Sequence, residues 1–156
     1  MLSSECGGTI VTISSVLGKL GASHLSDYTA AKAGLIALHR SLRAELSSSS
    51  ASEGAENIRT ILVTPGQLST SLFAGVETPS SFFGPVMEPV KLAREIVRMV
   101  DAGESGEISL PLYARWIEWM FVLPVSLQRL GRWVSGVDGA MEGFGKKRER
   151  ARRKEL

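Results

Sequence analysis

A tyrosine and a lysine, Tyr28 and Lys32, stand four positions apart in a segment with the apolar periodicity of a helix. Residues four apart share one face of a helix, so the ammonium group should lie close to the phenol ring. A neighbouring positive charge stabilises a phenolate. Tyr28 is therefore a candidate general acid/base for the oxygen of an alcohol or a carbonyl compound.

A serine that could bind the same oxygen, Ser15, lies thirteen residues before the tyrosine. It follows residues 9–13, a β-branched run after two glycines, which predicts a buried strand. Ligands of open α/β sheets bind at the carboxyl ends of the strands. A Y-x-x-x-K pair alone is common on helices by chance. The strand and serine before this pair, and the strand with Pro65 and Gly66 after it, make the combination more specific.

The elements that would position these residues alternate between strands and helices. Strands are predicted at residues 9–13, 58–63 and 107–110, and helices at about 28–46, 90–101 and 112–134. The first helix carries an amphipathic stripe of Ala31, Leu35, Leu38, Leu42 and Leu46. This order is typical of an α/β fold with a parallel sheet. A doubly wound nucleotide-binding sheet has about six strands, so three strands predict part of such a sheet.

The combination of motifs resembles the C-terminal half of the short-chain dehydrogenase/reductase family. The matching stretches are residues 12–18, 28–32 and 65–70. The resemblance implies a Rossmann-like, doubly wound parallel sheet of which residues 1–111 form a partial catalytic half-domain. It implies hydride transfer between a nicotinamide and an alcohol or carbonyl carbon. The segment at 65–73 and the apolar C-terminus are similar to the retinol- and hydroxysteroid-dehydrogenase-like branch.

The resemblance also implies a role for each matching residue. Tyr28 would be the catalytic acid/base, and Lys32 would stabilise its phenolate and hydrogen-bond the nicotinamide ribose. Ser15 would orient the substrate oxygen. Three further residues would line the nicotinamide of NAD or NADP, a choice the sequence leaves open: Pro65, Gly66 and Thr70.

The glycine-rich turn that holds the cofactor's pyrophosphate in this family is not found before Ser15. Gly139, Gly143 and Gly145 have its spacing, but no predicted strand precedes them. Residues 137–156 are therefore predicted to be a Gly-rich linker and basic tail. Three explanations stay open: the sequence is truncated, the chain is a natural remnant without catalysis, or it pairs with a chain that carries the first half.

Charge and composition exclude several other classes of protein. Residues 145–156 contain seven Lys/Arg and two Glu, a net charge of +5, against +2 for the whole chain. The basic pI thus reflects the tail, and no nucleic-acid-binding fold is predicted. One cysteine, Cys6, and two histidines, His24 and His39, leave too few ligands for a zinc site. The first residues lack the pattern of a signal peptide, so an intracellular protein is expected.

All three tryptophans fall within residues 112–136, on an apolar stripe interrupted by Pro124. A Trp-rich amphipathic segment followed by cationic residues is typical of a helix at an anionic membrane surface. The alternatives are packing on the domain or on a partner in a homodimer, and lining of the substrate mouth. A peripheral position on the endoplasmic reticulum or a lipid droplet is the location expected for such a segment.

The sequence therefore predicts an NAD(P)-dependent oxidoreductase that interconverts an alcohol and a carbonyl. The substrate is expected to be lipophilic, resembling a steroid or retinoid. Phe73, Phe82 and Phe83 would either pack in the core or contact that substrate, and His24 would be solvated or contact it. The alternative function is a catalytically inactive remnant that binds a membrane or a partner.

Overall fold

The computed structural model of the chain describes residues 7–48, 53–69 and 86–136. Its strands are β1 (Gly8–Ile13), β2 (Ile58–Pro65) and β3 (Gly106–Leu110). Its α-helices are α1 (Leu17–Leu20), α2 (Ser26–Leu46), α3 (Pro89–Asp101), α4 (Ile117–Met120) and α5 (Val125–Ser135). Two short 3₁₀ helices, Ala55–Asn57 and Leu112–Arg115, precede β2 and follow β3.

The three strands form one parallel sheet in the order β1-β2-β3. At their carboxyl ends the register pairs Ile13 with Val63 and Pro65 with Leu110. The carboxyl ends therefore meet at one edge of the sheet, which is where open α/β sheets bind ligands. The predicted fold class, α/β with part of a Rossmann-like parallel sheet, is confirmed.

One face of the sheet is apolar and packs against α3. Ile61 and Val63 of β2 and Ile108 of β3 are buried there against Leu92 and Met99 of α3. Side chains two positions apart on a strand share a face, so the β-branched run of β2 supplies this cluster directly. Full burial of such a side chain contributes about 1.5–3 kcal/mol. This cluster stabilises the packing of β2 and β3 against α3, next to the edge of the sheet where the carboxyl ends of the strands meet.

The opposite face of the sheet carries several hydroxyl side chains beside the buried Leu62 and is covered by α2. Thr12 of β1 hydrogen-bonds His39 of α2 at 2.9 Å. Thr64 of β2 and Ser109 of β3 are paired in register on this face, and their hydroxyl groups are 2.6 Å apart. The buried side chains of α2 are Ile36 and His39. A helix that covers threonines and serines thus presents a hydrogen-bonding residue as well as an apolar one.

The apolar stripe predicted on α2 is not the most buried side of the helix. Leu38, in the middle of that stripe, is 63 % exposed, whereas its neighbour His39 is buried. One residue along an α-helix is a rotation of about 100°, so Leu38 is turned away from the sheet, whereas Leu35, Leu42 and Leu46 of the same stripe are half-buried. The periodicity located the helix correctly, but it did not identify the packed face, because the sheet offers polar groups there.

The boundaries of three elements differ from the sequence-based expectation. β2 continues through Pro65, whose carbonyl accepts a hydrogen bond from the backbone of Val16 at 2.9 Å. α1 was not predicted, because its four residues include a glycine. The single helix expected at 112–134 is divided into a 3₁₀ helix, α4 and α5. Pro124 is the residue before α5, where a missing N–H is tolerated.

The segment after β3 packs on α1. Ala114 and Ile117 form a small buried cluster with Val16. Arg132 of α5 donates to the carbonyl of Leu20, at the end of α1, at 3.0 Å. Among the helices in the described ranges, none has the length and apolar character needed to cross a membrane.

Candidate active site

Ser15 lies two residues after the end of β1, and the residues on either side of it are hydrogen-bonded to the end of β2. The N–H of Ser14 donates to the carbonyl of Val63 at 2.8 Å, and the N–H of Val16 donates to the carbonyl of Pro65 at 2.9 Å. The Ser15 hydroxyl oxygen accepts a hydrogen bond from the N–H of Leu17 at 3.2 Å. A hydroxyl that accepts one bond keeps its own proton for a further acceptor, such as a substrate oxygen.

Lys32 is bound to the end of β1 through both its side chain and its backbone. Its ammonium group donates to the carbonyl of Ile13 at 3.1 Å, and its carbonyl accepts the hydroxyl proton of Ser14 at 2.7 Å. Its Nζ lies 5.8 Å from the centre of the Tyr28 ring. The structure therefore brings Tyr28 and Lys32 to the edge of the sheet at which Ser15 lies. Their catalytic roles stay predictions.

The first turn of α2 presents Tyr28 one helical turn before the lysine. Ser26 and Asp27 are of residue types that often cap helices, but α2 already includes them, and Leu25 precedes it. The carboxylate of Asp27 instead accepts the N–H of Tyr28 at 2.8 Å. A carboxylate in the first turn also interacts favourably with the positive end of the helix dipole. Tyr28 is half-buried, so it retains a face towards solvent.

His24, which precedes α2, is exposed and has a left-handed backbone with φ of +62°. This position fits the solvated loop histidine predicted from the sequence. It does not exclude the contact with substrate that was predicted as the alternative.

Gly18 of α1 makes a close approach that the sequence analysis did not identify. A Cβ atom at this position would lie 2.8 Å from the carbonyl carbon of Lys32. The space between α1 and α2 therefore admits only glycine unless the backbone moves. Gly18 belongs to the matched stretch 12–18, but the sequence alone does not show why a glycine is needed at this position. Its function is to let the segment after Ser15 lie against the helix that carries Lys32.

Pro65 and Gly66 lie beside Ser15 at the end of β2. The N–H of Gly66 donates to the carbonyl of Leu110 at 2.7 Å, and a Cβ atom on Gly66 would lie 2.9 Å from Cδ of Pro111. The glycine is thus required by the close approach of Pro111, the residue after β3. Thr70, Phe73, Phe82 and Phe83, together with Cys6, lie outside the described residues.

A buried lysine, Lys19, joins α1 to β3. Its side chain is 2 % exposed and forms an ion pair with Glu107. It also donates to the hydroxyl of Ser109 at 3.3 Å, and Ser109 in turn donates to Glu107 at 2.8 Å. Nothing in the sequence marked Lys19, since a lysine between apolar residues of a loop is normally solvated. The pair anchors the segment after Ser15 to the strand at the far end of the sheet.

The charge of Glu107 follows from these contacts. Burial raises the pKa of its carboxyl group, but the hydrogen bonds from Lys19 and Ser109 and the positive charges of Lys19 and Arg40 lower it further than that. The resulting pKa lies below the ordinary value, so the ion pair persists at neutral pH.

His39 received no role from the sequence and is a buried group of the polar face. Its Nδ1 is 2.9 Å from the hydroxyl of Thr12, while its Nε2 has no hydrogen-bond partner. Burial lowers the pKa of His39, and the positive charge of Arg43 lowers it again. The imidazole is therefore held neutral between α2 and the sheet.

The arrangement fits the nicotinamide and ribose end of a dinucleotide. The ammonium of Lys32 has three protons, and the bond to Ile13 uses one of them, so it can also donate to ribose hydroxyl groups. The first turn of α2 and the Pro65–Gly66 segment are on the side of the sheet that such a group would approach. Within residues 7–48, 53–69 and 86–136, no three His, Cys, Asp or Glu side chains are grouped so that they could hold a metal ion.

Comparison with known proteins identifies the class to which this fold and site belong. Residues 1–80 match the family model of the short chain dehydrogenases. The chain belongs to the short-chain dehydrogenase/reductase family, as its motifs predicted. The finer placement in a retinol- or hydroxysteroid-dehydrogenase-like branch stays a prediction.

Individual relatives carry oxidoreductase names. "Uncharacterized oxidoreductase TDA5" of Saccharomyces cerevisiae is 44% identical over 129 residues, which are 83% of this chain and 38% of that protein. "Estradiol 17-beta-dehydrogenase 8" of Callithrix jacchus is 32% identical over 107 residues, 69% of this chain and 66% of that protein. "(3R)-3-hydroxyacyl-CoA dehydrogenase" of Homo sapiens is 31% identical, over 69% of this chain and 34% of that protein. The chain thus spans well under half the length of the yeast and human relatives.

Proposed function

We propose that the whole protein interconverts an alcohol and a carbonyl compound with NAD or NADP. The observation that carries this proposal is the placement of Lys32. Its ammonium group is fixed to the carboxyl end of β1 and lies 5.8 Å from the ring centre of Tyr28. The residues proposed as general acid/base and supporting cation therefore lie at the edge of the sheet where Ser15 is found.

Each of the three residues would perform a separate task on the substrate oxygen. Ser15 donates its hydroxyl proton in a hydrogen bond, which orients that oxygen. Tyr28 takes the proton from an alcohol or returns it to the oxygen of a carbonyl. Lys32 supports the negative charge that then develops on the phenol oxygen. A bound nicotinamide would supply or accept the hydride.

A lipophilic substrate is the class we favour. One relative, estradiol 17-beta-dehydrogenase 8, is named for a steroid. In this chain the apolar segment after β3 packs on α1, which directly follows Ser15. A steroid- or retinoid-like alcohol would therefore approach the site next to an apolar surface. The location on the endoplasmic reticulum or a lipid droplet stays a prediction.

The proposal is tested on the protein as its cells make it, captured through its C-terminus and characterised by intact mass. The purified protein is titrated with NADH and NADPH by fluorescence and then assayed with lipophilic primary and secondary alcohols. We expect tight binding of one cofactor and substrate-dependent formation of its reduced form. Cofactor binding without turnover of any alcohol or carbonyl, or no binding of either cofactor, would contradict the proposal. It would favour the alternative, a protein that binds a membrane or partner without catalysis.

A further inference from the structure

An extended apolar surface covers α4, α5 and the turn between them. We refer to this region, residues 116–134, as the α4–α5 surface. Trp133 is 80 % exposed, and two further tryptophans and several aliphatic side chains are exposed beside it. The most prominent members are Trp116, Trp119, Phe121, Val122, Leu130 and Trp133. Soluble proteins seldom leave such a contiguous set of large apolar groups in water without a binding function.

The charges of this segment are one-sided. Glu118 is the only carboxylate in residues 112–136, and it is paired with Arg40 at 2.6 Å and with Lys19 at 3.9 Å. Two arginines, Arg115 and Arg129, are exposed at the same segment. The exposed charges among these residues that have no paired carboxylate are therefore cationic, and the single acid, Glu118, is neutralised by Arg40 and Lys19.

The α4–α5 surface is attached to the rest of the fold by contacts that leave its tryptophans exposed to solvent. Ile117 is buried with Ala114 and Val16, and Arg132 donates to the carbonyl of Leu20. Gln128 donates to the carbonyl of Leu123 at 2.7 Å, which satisfies the turn between the two helices. The exposed apolar groups thus belong to a segment that is attached to α1 through Ile117 and Arg132.

The surface is also separate from the open edge of the sheet. β1 has a paired neighbour on one side only within the described residues, and further strands of a larger sheet would join there. The α4–α5 surface follows β3, the strand at the other end of the sheet. Strands added beside β1 would therefore join the end of the sheet opposite to this surface.

We propose that the α4–α5 surface binds the face of a lipid bilayer that contains anionic lipids. Tryptophan side chains favour the boundary between headgroups and acyl chains, and arginines beside them favour anionic headgroups. The chain that follows supplies a net charge of +5 in residues 145–156. Charges of this kind attract a negatively charged membrane surface, whereas two copies of the chain would repel each other at this site.

The chain contains its own reporter for this interaction, because all three of its tryptophans lie on the α4–α5 surface. The full chain is mixed with phosphatidylcholine vesicles that contain about one quarter phosphatidylserine, and separately with pure phosphatidylcholine vesicles. We expect a blue shift of the emission and quenching by brominated acyl chains with the anionic vesicles. Both effects should weaken with pure phosphatidylcholine and with added salt.

Variants then locate the contact. Trp119→Ser combined with Trp133→Ser should weaken partition into the anionic vesicles by about tenfold or more. The matched control replaces two exposed apolar residues of α3, Val90→Ser and Val97→Ser, and should bind as the unaltered chain does. Circular dichroism checks that both variants fold. If they do not, the quenching of the unaltered chain by brominated acyl chains tests whether the tryptophans enter the bilayer.

Three results would overturn the proposal. The first is an unchanged emission with both kinds of vesicle. The second is an equal loss of binding in the control and the tryptophan variants. The third is a dimer, observed by sedimentation without vesicles, whose tryptophan emission is already blue-shifted. A second copy of the chain would then cover the surface.

Discussion

Lys32 is joined to the end of β1 by two hydrogen bonds in opposite directions, one from Ser14 and one to Ile13. The Ser14 hydroxyl donates to the carbonyl of Lys32 at 2.7 Å, while the lysine ammonium donates to the carbonyl of Ile13, the residue before Ser14, at 3.1 Å. The two bonds fix the height of α2 above the sheet and the direction of its lysine side chain. Adjacent serines therefore have different functions: Ser14 positions α2, and Ser15 presents its hydroxyl.

The first prediction separates these two serines. Ser14→Ala removes the hydrogen bond that the buried Ser14 hydroxyl donates to the carbonyl of Lys32 and should lower the free energy of unfolding by about 0.5–1.5 kcal/mol. Ser15→Ala should lower kcat by about a hundredfold or more, because it removes a donor to the reacting oxygen. Urea unfolding and steady-state kinetics of both variants check this difference. If kcat decreased in both variants in the same proportion to the loss of unfolding free energy, Ser15 would have only a structural function, as Ser14 does.

A second prediction concerns the close approach of α1 and α2. Gly18→Ala places a methyl group 2.8 Å from the carbonyl carbon of Lys32, so the backbone must shift and both stability and activity should fall. Gly34→Ala on the same helix α2 is the matched control, because nothing lies within 4 Å of the added atom. It should stabilise the chain by about 0.5–1 kcal/mol. Thermal unfolding that ranks the two variants in the reverse order would contradict the contact.

The ion pair between Lys19 and Glu107 gives an asymmetric prediction. The lysine side chain is 2 % exposed and that of Glu107 is 32 % exposed. Glu107→Gln leaves a buried ammonium without its main partner and should destabilise by about 3 kcal/mol. Lys19→Met leaves a carboxylate that reaches water, so it should cost about half as much or less. Equal losses in chemical unfolding would show that the burial of Lys19 does not govern the pair.

The pH dependence of stability follows from the same pair. Because the pKa of Glu107 is below its ordinary value in the folded chain, the unfolded chain binds a proton more readily. The stabilisation is present above the ordinary carboxyl pKa and is lost as pH falls through the lowered value. Glu107→Gln should therefore flatten the decrease of unfolding free energy in acid. An unchanged acid limb in that variant would contradict this linkage.

His39 should act in a higher pH range. Burial lowers its pKa from the ordinary 6.5, so the unfolded chain takes up the proton first and stability decreases as pH falls through about 6.5. His39→Leu removes both the titrating group and the unpartnered Nε2, and it should make stability less dependent on pH between about 5 and 7. Unfolding at several pH values measures this slope. A slope equal to that of the unaltered chain would contradict the assignment.

The positions of the strands and of the long helices could be predicted from the sequence because they depend on local patterns. A β-branched run between glycines located β1, and three- and four-residue spacing located α2. The orientation of α2 could not be predicted in this way. Its packed side is chosen by Thr12 and the other polar groups of a sheet face formed by residues far apart in sequence.

The candidate site shows the same division. Tyr28, Lys32 and Ser15 were found because their types and spacing suggest chemistry. Lys19 and Gly18 were not found, because their importance arises from Glu107 and from a backbone carbonyl across the fold. Contacts between distant elements leave little trace in the residues on either side of them.

The central claim, that Tyr28 exchanges the proton with the substrate oxygen, is tested most directly by Tyr28→Phe in the protein of natural length. The chain's other tyrosine provides the control variant Tyr113→Phe. We expect Tyr28→Phe to abolish alcohol-dependent reduction of the nicotinamide while the affinity for the cofactor is kept, and Tyr113→Phe to retain turnover. Undiminished turnover in Tyr28→Phe would contradict the account.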